Sequence, residues 1–419
     1  LKVAIIGGGS TYTPELIDGL IKQYEELGLT QVALMDIDPQ RLKVVGEFAQ
    51  RMVTHAKAPF EVVLTEDRRE AIAGADFVLT QIRVGQMPAR HKDIQLGLRH
   101  DLIGQETTGV GGFAKALRTI PEVVKLADDM MELAPDAWMI NFTNPSGLVT
   151  EALHRHGLKR LIGLCNIPIG MVMDVAEYLK VEPRRISLDY VGLNHLSWVR
   201  QVYLDGVDIL PQAIEQIVHS GPANIEDIDY DPEFLKALGF LPGPYLRYFY
   251  KTQEMLDKLK KKEKSRAEEV MEVEQALLAK YADPTITEKP EELSKRGGAF
   301  YSHIAIKLID SIWNDKGETH IVNIPNQGAI DAIGEDQTVE VAAVIRKSGA
   351  TPLRIGKVEP HILGLMQQVK AYETLAAEAG LEGSRKKAIL ALVANPLCPS
   401  QEAITLLDDI VKTHGIALT

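Results

Sequence analysis

Cysteine is nearly absent from this chain: there are two among 419 residues, Cys165 and Cys398. That argues against a disulfide framework and fits a reducing compartment. No apolar run approaches the roughly 20 residues needed to span a bilayer. The sequence opens directly into Lys2-Val3-Ala4-Ile5-Ile6, without the basic and apolar regions of a signal peptide, so the expectation is a cytoplasmic protein. Positive charge is not in excess either. The formal net charge is -12, which argues against nucleic acid or an anionic membrane as partner, although basic groups can still gather locally around a small anion. Internal repeats and low-complexity linkers are also missing. What remains is ordinary for an enzyme-sized globular chain, with 45% hydrophobic and 25% charged residues over a length that holds two or more domains.

The first strand-like segment, Lys2 to Ile6, is a β-branched apolar run suited to a buried parallel strand. The turn Gly7-Gly8-Gly9-Ser10-Thr11-Tyr12 follows. Thr13 is the predicted N-cap, and Pro14 suits the first helical position. Leu16, Ile17, Leu20, Ile21, Tyr24 and Leu27 then share one helical face. A glycine turn between strand and helix predicts an anion cradle, because free backbone N–H groups and the helix dipole both favour phosphate there. The next strand ends at Asp36, placed to accept hydrogen bonds from a ribose hydroxyl. This dinucleotide fingerprint is imperfect. Tyr12 stands where the third glycine belongs, and Asp36 lies beyond the usual spacing of about 20 residues. The candidate cofactor residues are Gly7, Gly9, Ser10, Thr11, Asp36 and Arg83, the last just past a later strand.

The rhythm continues with strands at 60–64, 75–82, 137–141 and 160–164, separated by helices such as 121–133 and 147–156. Strands alternating with helices predict an α/β fold with a doubly wound parallel sheet. We assign residues 1–168 to a Rossmann-type nucleotide-binding domain and residues 169–419 to a C-terminal α+β domain, an architecture similar to that of lactate and malate dehydrogenases. The glycine-rich stretch 101–113 reads as a functional or mobile loop. Residues 185–210 read as antiparallel strands, 222–232 as an acidic loop and 251–280 as one charged helix or a helix pair. Arg296-Gly297-Gly298 precedes an apolar helix at 304–313, and a β-rich piece runs to about 360. Tyr245, Tyr248 and Tyr250, behind a Pro-Gly-Pro turn, can pack in a core or supply a phenol for proton transfer.

Two polar residues interrupt apolar runs in parallel fashion. Cys165 follows Leu161-Ile162-Gly163-Leu164, and His195 follows Val191-Gly192-Leu193-Asn194. Strand ends are where ligands sit in α/β proteins. A thiolate with an imidazole suits a borderline divalent metal such as Zn, Mn, Fe or Ni. Taken singly, the cysteine also reads as a small buried hydrophobe and the histidine as a satisfied core residue.

The stretches Ile6-Gly-Gly-Gly-Ser-Thr-Tyr-Thr-Pro-Glu-Leu16, Ile103-Gly-Gln-Glu-Thr107, Asn141-Phe-Thr-Asn-Pro145, Gly163-Leu-Cys-Asn-Ile-Pro168, Gly192-Leu-Asn-His195 and Pro244-Tyr-Leu-Arg-Tyr248 run in this order over essentially the whole chain. On these motifs the sequence resembles glycoside hydrolase family 4, nearest its 6-phospho-β-glucosidase branch. The NAD-dependent chemistry of that family departs from two-carboxylate glycosidase mechanisms. The resemblance implies that NAD⁺ takes hydride from sugar C3 and later returns it. The C2 proton, acidified by the ketone, is removed by a base, and the aglycone leaves from C1 before water adds. A divalent metal, usually Mn²⁺ in this family, bridges the C2 and C3 oxygens as a Lewis acid.

Position by position, the resemblance makes Cys165 and His195 the metal ligands and Tyr245 the C2 base. It brings Arg90, Asn144 and Arg266 to the 6-phosphate, counts Asn166 and Asn194 among the substrate contacts, and has Glu106 order the metal or its water. Asn166 stands where the α-specific branch tends to carry Asp, the one-residue basis for β over α; the leaving-group acid has no candidate. The implied substrate is a phosphorylated disaccharide or an aryl 6-phospho-β-glucoside, and the implied assembly is a homodimer or homotetramer. A 6-phospho-α-glucosidase of the same family is the nearest alternative. A 2-hydroxyacid dehydrogenase also fits Asn141 to Pro145 after a strand, but it predicts net NADH and leaves Cys165, His195 and Tyr245 unexplained. A nucleotide-sensing regulatory protein, needing no metal, is the non-enzymatic reading.

Overall fold

The computed structural model describes residues 1–217, 225, 228–298 and 300–419. Of the expected acidic loop at 222–232, residues 222–224, 226 and 227 lie outside the described residues. The strands are β1 (Lys2–Ile6), β2 (Gln31–Met35), β3 (Glu61–Thr65), β4 (Phe77–Thr80), β5 (Trp138–Asn141), β6 (Leu161–Gly163), β7 (Ile186–Leu193), β8 (Leu196–Leu204), β9 (Val207–Asp208), β10 (Leu241–Pro242), β11 (Glu318–Pro325), β12 (Thr338–Arg346) and β13 (Gly349–Pro352). A nine-stranded sheet has the order β13-β12-β11-β6-β5-β4-β1-β2-β3. Its first six strands are parallel, in the doubly wound 3-2-1-4-5-6 arrangement whose switch point lies between β1 and β4.

Register determines where ligands can sit. Ile6 pairs with Met35 and with Thr80, Thr80 with Asn141, and Asn141 with Gly163. Five strands therefore end level, and Gly7, Asp36, Gln81, Phe142 and Leu164 leave the sheet at one edge. Strand alternation supplies both cores. Val3 and Ile5 pack with Leu16, Ile17, Leu20, Ala305 and Leu308 on one face. Ala4 and Ile6 pack with Val123, Leu126, Val149 and Leu153 on the other.

The C-terminal half shares this sheet and its core. Helix Tyr301–Trp313 covers the face under β1, and β11 joins β6 antiparallel through Asn323 and Gly163. A second sheet, in the order β10-β8-β7 with β9 on β8, carries the β7–β8 hairpin. Asn194 and His195 form its two-residue tip between Leu193 and Leu196, so His195 follows a strand as the sequence predicts.

Three local expectations change. The helix expected at 121–133 begins at Gly109 and runs through Pro121 to Leu133. Gly111 and Gly112 are helical, and they are small because segment 104–107 lies flat against them. A Cβ on Gly112 would stand 2.5 Å from the Thr107 carbonyl carbon. The first helix starts at Thr13 with Tyr12 as N-cap, since the Thr13 hydroxyl is taken by Gln81 Nε2 at 2.7 Å. The charged stretch 251–280 resolves into helices Thr252–Lys261 and Arg266–Ala282, the second opened by a capping box between Ser265 and Glu268. Arg266 thereby occupies the first helical position.

Gly112→Ala is expected to destabilise the chain by about 1–3 kcal/mol through overpacking against Thr107. Gly170→Ala, on helix Ile167–Leu179 with nothing within 4 Å of its added Cβ, is expected to stabilise by about 0.5–1 kcal/mol. Urea denaturation of both variants checks the pair, and equal midpoints would contradict the close-approach account.

Candidate active site

The level strand ends, the start of helix Arg266–Ala282 and the hairpin tip enclose a cavity of about 800 Å³. Of the residues singled out in the sequence, Gly7, Ser10, Asp36, Arg83, Arg90, Asn144, Asn166, His195, Tyr245 and Arg266 line it. Gly9, Thr11, Cys165 and Asn194 stand behind them. Residues from the turn after β1 to the helix at 266 thus converge on one space.

At the glycine turn the N–H groups expected to be free are engaged. Gly7 and Gly8 donate to the Met35 carbonyl at 2.9 and 2.7 Å, Gly9 to Asp36 Oδ2 at 2.8 Å and Ser10 to the Gly7 carbonyl at 3.0 Å. Asp36 also accepts from the Asp38 N–H at 3.0 Å, so it shapes the turn while retaining lone pairs for a ribose hydroxyl. A Cβ on Gly9 would lie 2.9 Å from Asp36 Oδ2, which explains glycine there. The Ser10 hydroxyl and two arginines supply polar contacts beside the turn: Arg41 donates to the Gly9 carbonyl at 3.2 Å, and Arg296 donates to Thr11 Oγ1 at 2.5 Å and to Ser10 Oγ at 3.2 Å.

Deeper in, Cys165 Sγ lies 3.4 Å from His195 Nε2. A sulfur ligand at about 2.3 Å and a nitrogen at about 2.1 Å can share one ion at that separation. His195 Nδ1 meets Thr107 Oγ1 at 2.8 Å. A ring that donates from Nδ1 to this hydroxyl keeps the Nε2 lone pair for a metal. Burial lowers the His195 pKa to about 3, so the imidazole is neutral. Burial pushes the Cys165 thiol up, and the Glu340 charge adds to this; a bound cation reverses that balance, because coordination stabilises the thiolate. Among the described residues no group of three or more His, Cys, Asp or Glu could hold a metal. An ion held by this pair alone would keep positions open for substrate and water. Tyr245 is stacked on His195 with centroids 3.7 Å apart and planes at 5°, so the pair stands or shifts together.

The third part of the cavity is cationic. Glu106 is held by Arg83, by Arg90 at 3.1 Å and by Lys115 at 3.1 Å. Burial would raise its pKa, but the three cations outweigh burial and hold the carboxyl well below the usual range. Burial, with Arg83 nearby, lowers Lys115 to about 7. Three cations face one carboxylate here. The buried Nε atoms of Arg90 and Arg266 have no hydrogen-bond partner. Two partnerless guanidinium donors on one cavity wall fit an anionic group of the ligand.

Thr107 is the residue that touches the His195 ring, while Glu106 stands among Arg83, Arg90 and Lys115. Other residues gave no sign in the sequence. Glu340 on β12 is buried and accepts from Tyr190 at 2.6 Å, from Asn194 at 3.0 Å and from Asn323 at 3.0 Å, holding the hairpin tip against the main sheet. Burial raises its pKa to about 7. Tyr301 interacts with Cys165 and Asn144. Glu274 and Arg296 reach the glycine turn from more than 250 residues away. Only the Gly297-Gly298 pair after Arg296 stood out in the sequence, as a turn without an assigned role.

Comparison with known proteins gives this geometry a family. The sequence model of the family 4 glycosyl hydrolases matches residues 2–181, and that of the family's C-terminal domain matches residues 190–398. A probable 6-phospho-β-glucosidase of Bacillus subtilis is 46% identical over 99% of this chain and 96% of its own length. A phospho-α-glucosidase of Clostridium acetobutylicum is 32% identical over 99% and 97%. The Thermotoga maritima 6-phospho-β-glucosidase, solved with manganese, NAD⁺ and glucose-6-phosphate, superposes with a TM-score of 0.92 at 36% identity, covering 100% of both chains. A malate dehydrogenase of Plasmodium falciparum, 13% identical over 90% of this chain and 98% of its own, has a TM-score of 0.54 and shares the fold alone. With both halves matched in order, and the cysteine–histidine pair, the stacked tyrosine and the glycine turn gathered around one cavity, the chain belongs to family 4 of the glycosyl hydrolases.

Proposed function

We propose that the chain is a 6-phospho-β-glucosidase that works with NAD⁺ and a divalent metal, Mn²⁺ by the analogy of its relatives. One observation carries the substrate class: the partnerless Nε atoms of Arg90 and Arg266 on the wall of the cavity that also holds His195 and Tyr245. A sugar 6-phosphate supplies the acceptors that these two Nε–H groups lack, with Asn144 beside them. NAD⁺ supplies a reversible hydride acceptor, and the metal supplies Lewis acidity toward the sugar C2 and C3 oxygens.

The chain's own residues do the rest. Gly7, Gly9, Ser10, Thr11 and Asp36 receive the cofactor's phosphate and ribose, and Arg83 anchors the boundary between cofactor and sugar through Glu106. Cys165 and the neutral His195 hold the metal, with Thr107 orienting the imidazole. Tyr245, pinned flat on His195, removes the C2 proton. Asn166 hydrogen-bonds the sugar, and Asn194, whose amide meets Glu340 and the Gly147 N–H, holds the hairpin tip that carries His195. The β-anomer is favoured by Asn166 beside Cys165 and by 46% identity to a β-specific relative against 32% to an α-specific one. The substrate is a phosphorylated disaccharide or an aryl 6-phospho-β-glucoside in the cytoplasm. Among the described residues no helix is long and apolar enough to cross a membrane. Light scattering tests the homodimer or homotetramer expected of the family.

Hydrolysis of p-nitrophenyl-β-D-glucopyranoside 6-phosphate should require both NAD⁺ and Mn²⁺, stop with EDTA and yield no net NADH. Equal turnover of the α-anomer would remove the β assignment. Turnover without either cofactor would remove the redox mechanism. Tyr245→Phe is expected to lower kcat by about 10²- to 10⁴-fold, the usual worth of a general base, and to abolish exchange of the substrate C2 hydrogen with solvent. Retained exchange would place the base elsewhere. Arg90→Met or Arg266→Met should raise KM for the phosphorylated glucoside by about 10- to 100-fold, the loss of a charge-assisted contact. NAD⁺ affinity should stay where it is; a parallel loss there would mean a damaged cavity.

A further inference from the structure

The glycine turn poses an electrostatic problem. Between Val3 and Pro14 there is no lysine or arginine, and the N–H groups of Gly7 to Ser10 are bonded within the turn and to Met35 and Asp36. A dinucleotide pyrophosphate carries two negative charges, and the turn itself brings no cation to meet them. The cation arrives from the other half of the chain. Arg296 lines the cavity and donates from Nε to Thr11 Oγ1 at 2.5 Å and from Nη2 to Ser10 Oγ at 3.2 Å. Its Nη1 makes neither contact.

Tyr12, the residue that breaks the dinucleotide fingerprint, is what brings Arg296 there. Its hydroxyl donates to the Gly298 carbonyl at 2.8 Å and accepts from the Ser302 N–H at 3.1 Å. Its ring lies 5.8 Å below the Arg296 guanidinium and meets Tyr301 edge-on at 6.4 Å. A third glycine could make none of these contacts. Glu274, buried, completes the frame. It accepts from Thr11 at 3.2 Å and pairs with both Arg41 and Arg296 at 3.4 Å, so two guanidiniums are set side by side at the turn.

We propose that Arg296 is a cofactor-binding residue that meets the pyrophosphate of NAD⁺, and that Tyr12 replaces the third glycine of the fingerprint in order to dock it. This rests on NAD⁺ being the cofactor. The same contacts tie the cofactor turn to Tyr301, which touches Cys165 and Asn144, so the cradle and the metal side share one structural support.

The test is NAD⁺ affinity by isothermal titration calorimetry on the full chain without substrate, at several salt concentrations. Wild-type protein that bound no NAD⁺ would overturn the cofactor reading and this proposal together. If the wild type binds, Arg296→Met is expected to weaken the affinity by about 10- to 100-fold. Its salt dependence should also flatten, because one screened charge contact is gone. Arg296→Lys keeps a charge without the fork; it should recover part of the affinity and keep the wild-type salt slope. Tyr12→Phe should weaken binding in the same direction by about 3- to 10-fold, the worth of a neutral hydrogen bond. Wild-type affinity in Arg296→Met overturns the assignment. So does equal weakening in the Met and Lys variants with an unchanged salt slope, which would mark Arg296 as a support for its loop only. If the Met variant does not fold, Arg296→Gln, which also removes the charge, takes its place with the same expected loss of affinity and flattened salt slope.

Discussion

The level register of the parallel strands is the constraint on which the site depends. Because Ile6, Met35, Thr80, Asn141 and Gly163 pair across the sheet, the segments that follow them emerge at one edge. A slip of one residue in any strand would turn its side chains to the opposite face and move the glycine turn, Asp36, Asn144 or Cys165 out of line. The β7–β8 hairpin extends the same logic. Its tip carries His195 to the end of β6, and Glu340 on β12 anchors the tip through Asn194. The Cys165–His195 pair is therefore built from a strand end and a hairpin tip, both held by sheet hydrogen bonds rather than by long mobile loops.

Charge is arranged locally against the overall sign of the chain. The whole carries -12, yet the cavity gathers Arg83, Arg90, Lys115 and Arg266 at one end and Arg41 and Arg296 at the other. Arg83, Arg90 and Lys115 are organised around Glu106, and Arg41 and Arg296 around the buried Glu274. A carboxylate inside a cationic site weakens its pull on an anion, but without it adjacent guanidiniums repel one another and lose their orientation. The two acids hold the arginines in place while leaving donor groups for a ligand. That is preorganisation of the kind that electrostatic recognition and catalysis need.

The two halves of the chain act as one body. Helix Tyr301–Trp313 covers the sheet of the N-terminal half, and β11 to β13 extend that sheet. The loop before the helix reaches the glycine turn through Tyr12, and the helix begins at Tyr301 beside Cys165. Stacking of Tyr245 on His195 joins the 244–250 segment to the hairpin tip in the same way.

Much of this was readable from the order of residues alone. Strand periodicity, the turn at Gly7 to Tyr12 and the polar residues closing the apolar runs at Cys165 and His195 are local patterns. Local patterns reflect backbone preferences and burial of nearby side chains, so they survive in one dimension. The start of helix Gly109–Leu133 was misread because glycine signals both loops and close packing, and only the neighbour decides between them. Thr107 as the partner of His195, Glu340 as the anchor of the hairpin and the pairing of Arg296 with Ser10 and Thr11 were beyond reach. Each depends on contacts across 88, 146 and more than 280 positions, and no spacing rule links residues that meet only after the sheet has closed. The sequence by itself determined the fold class, the family and the types of side chain in the site. The tertiary structure decided which of them touch, because burial, register and charge pairing exist only once distant segments share one core.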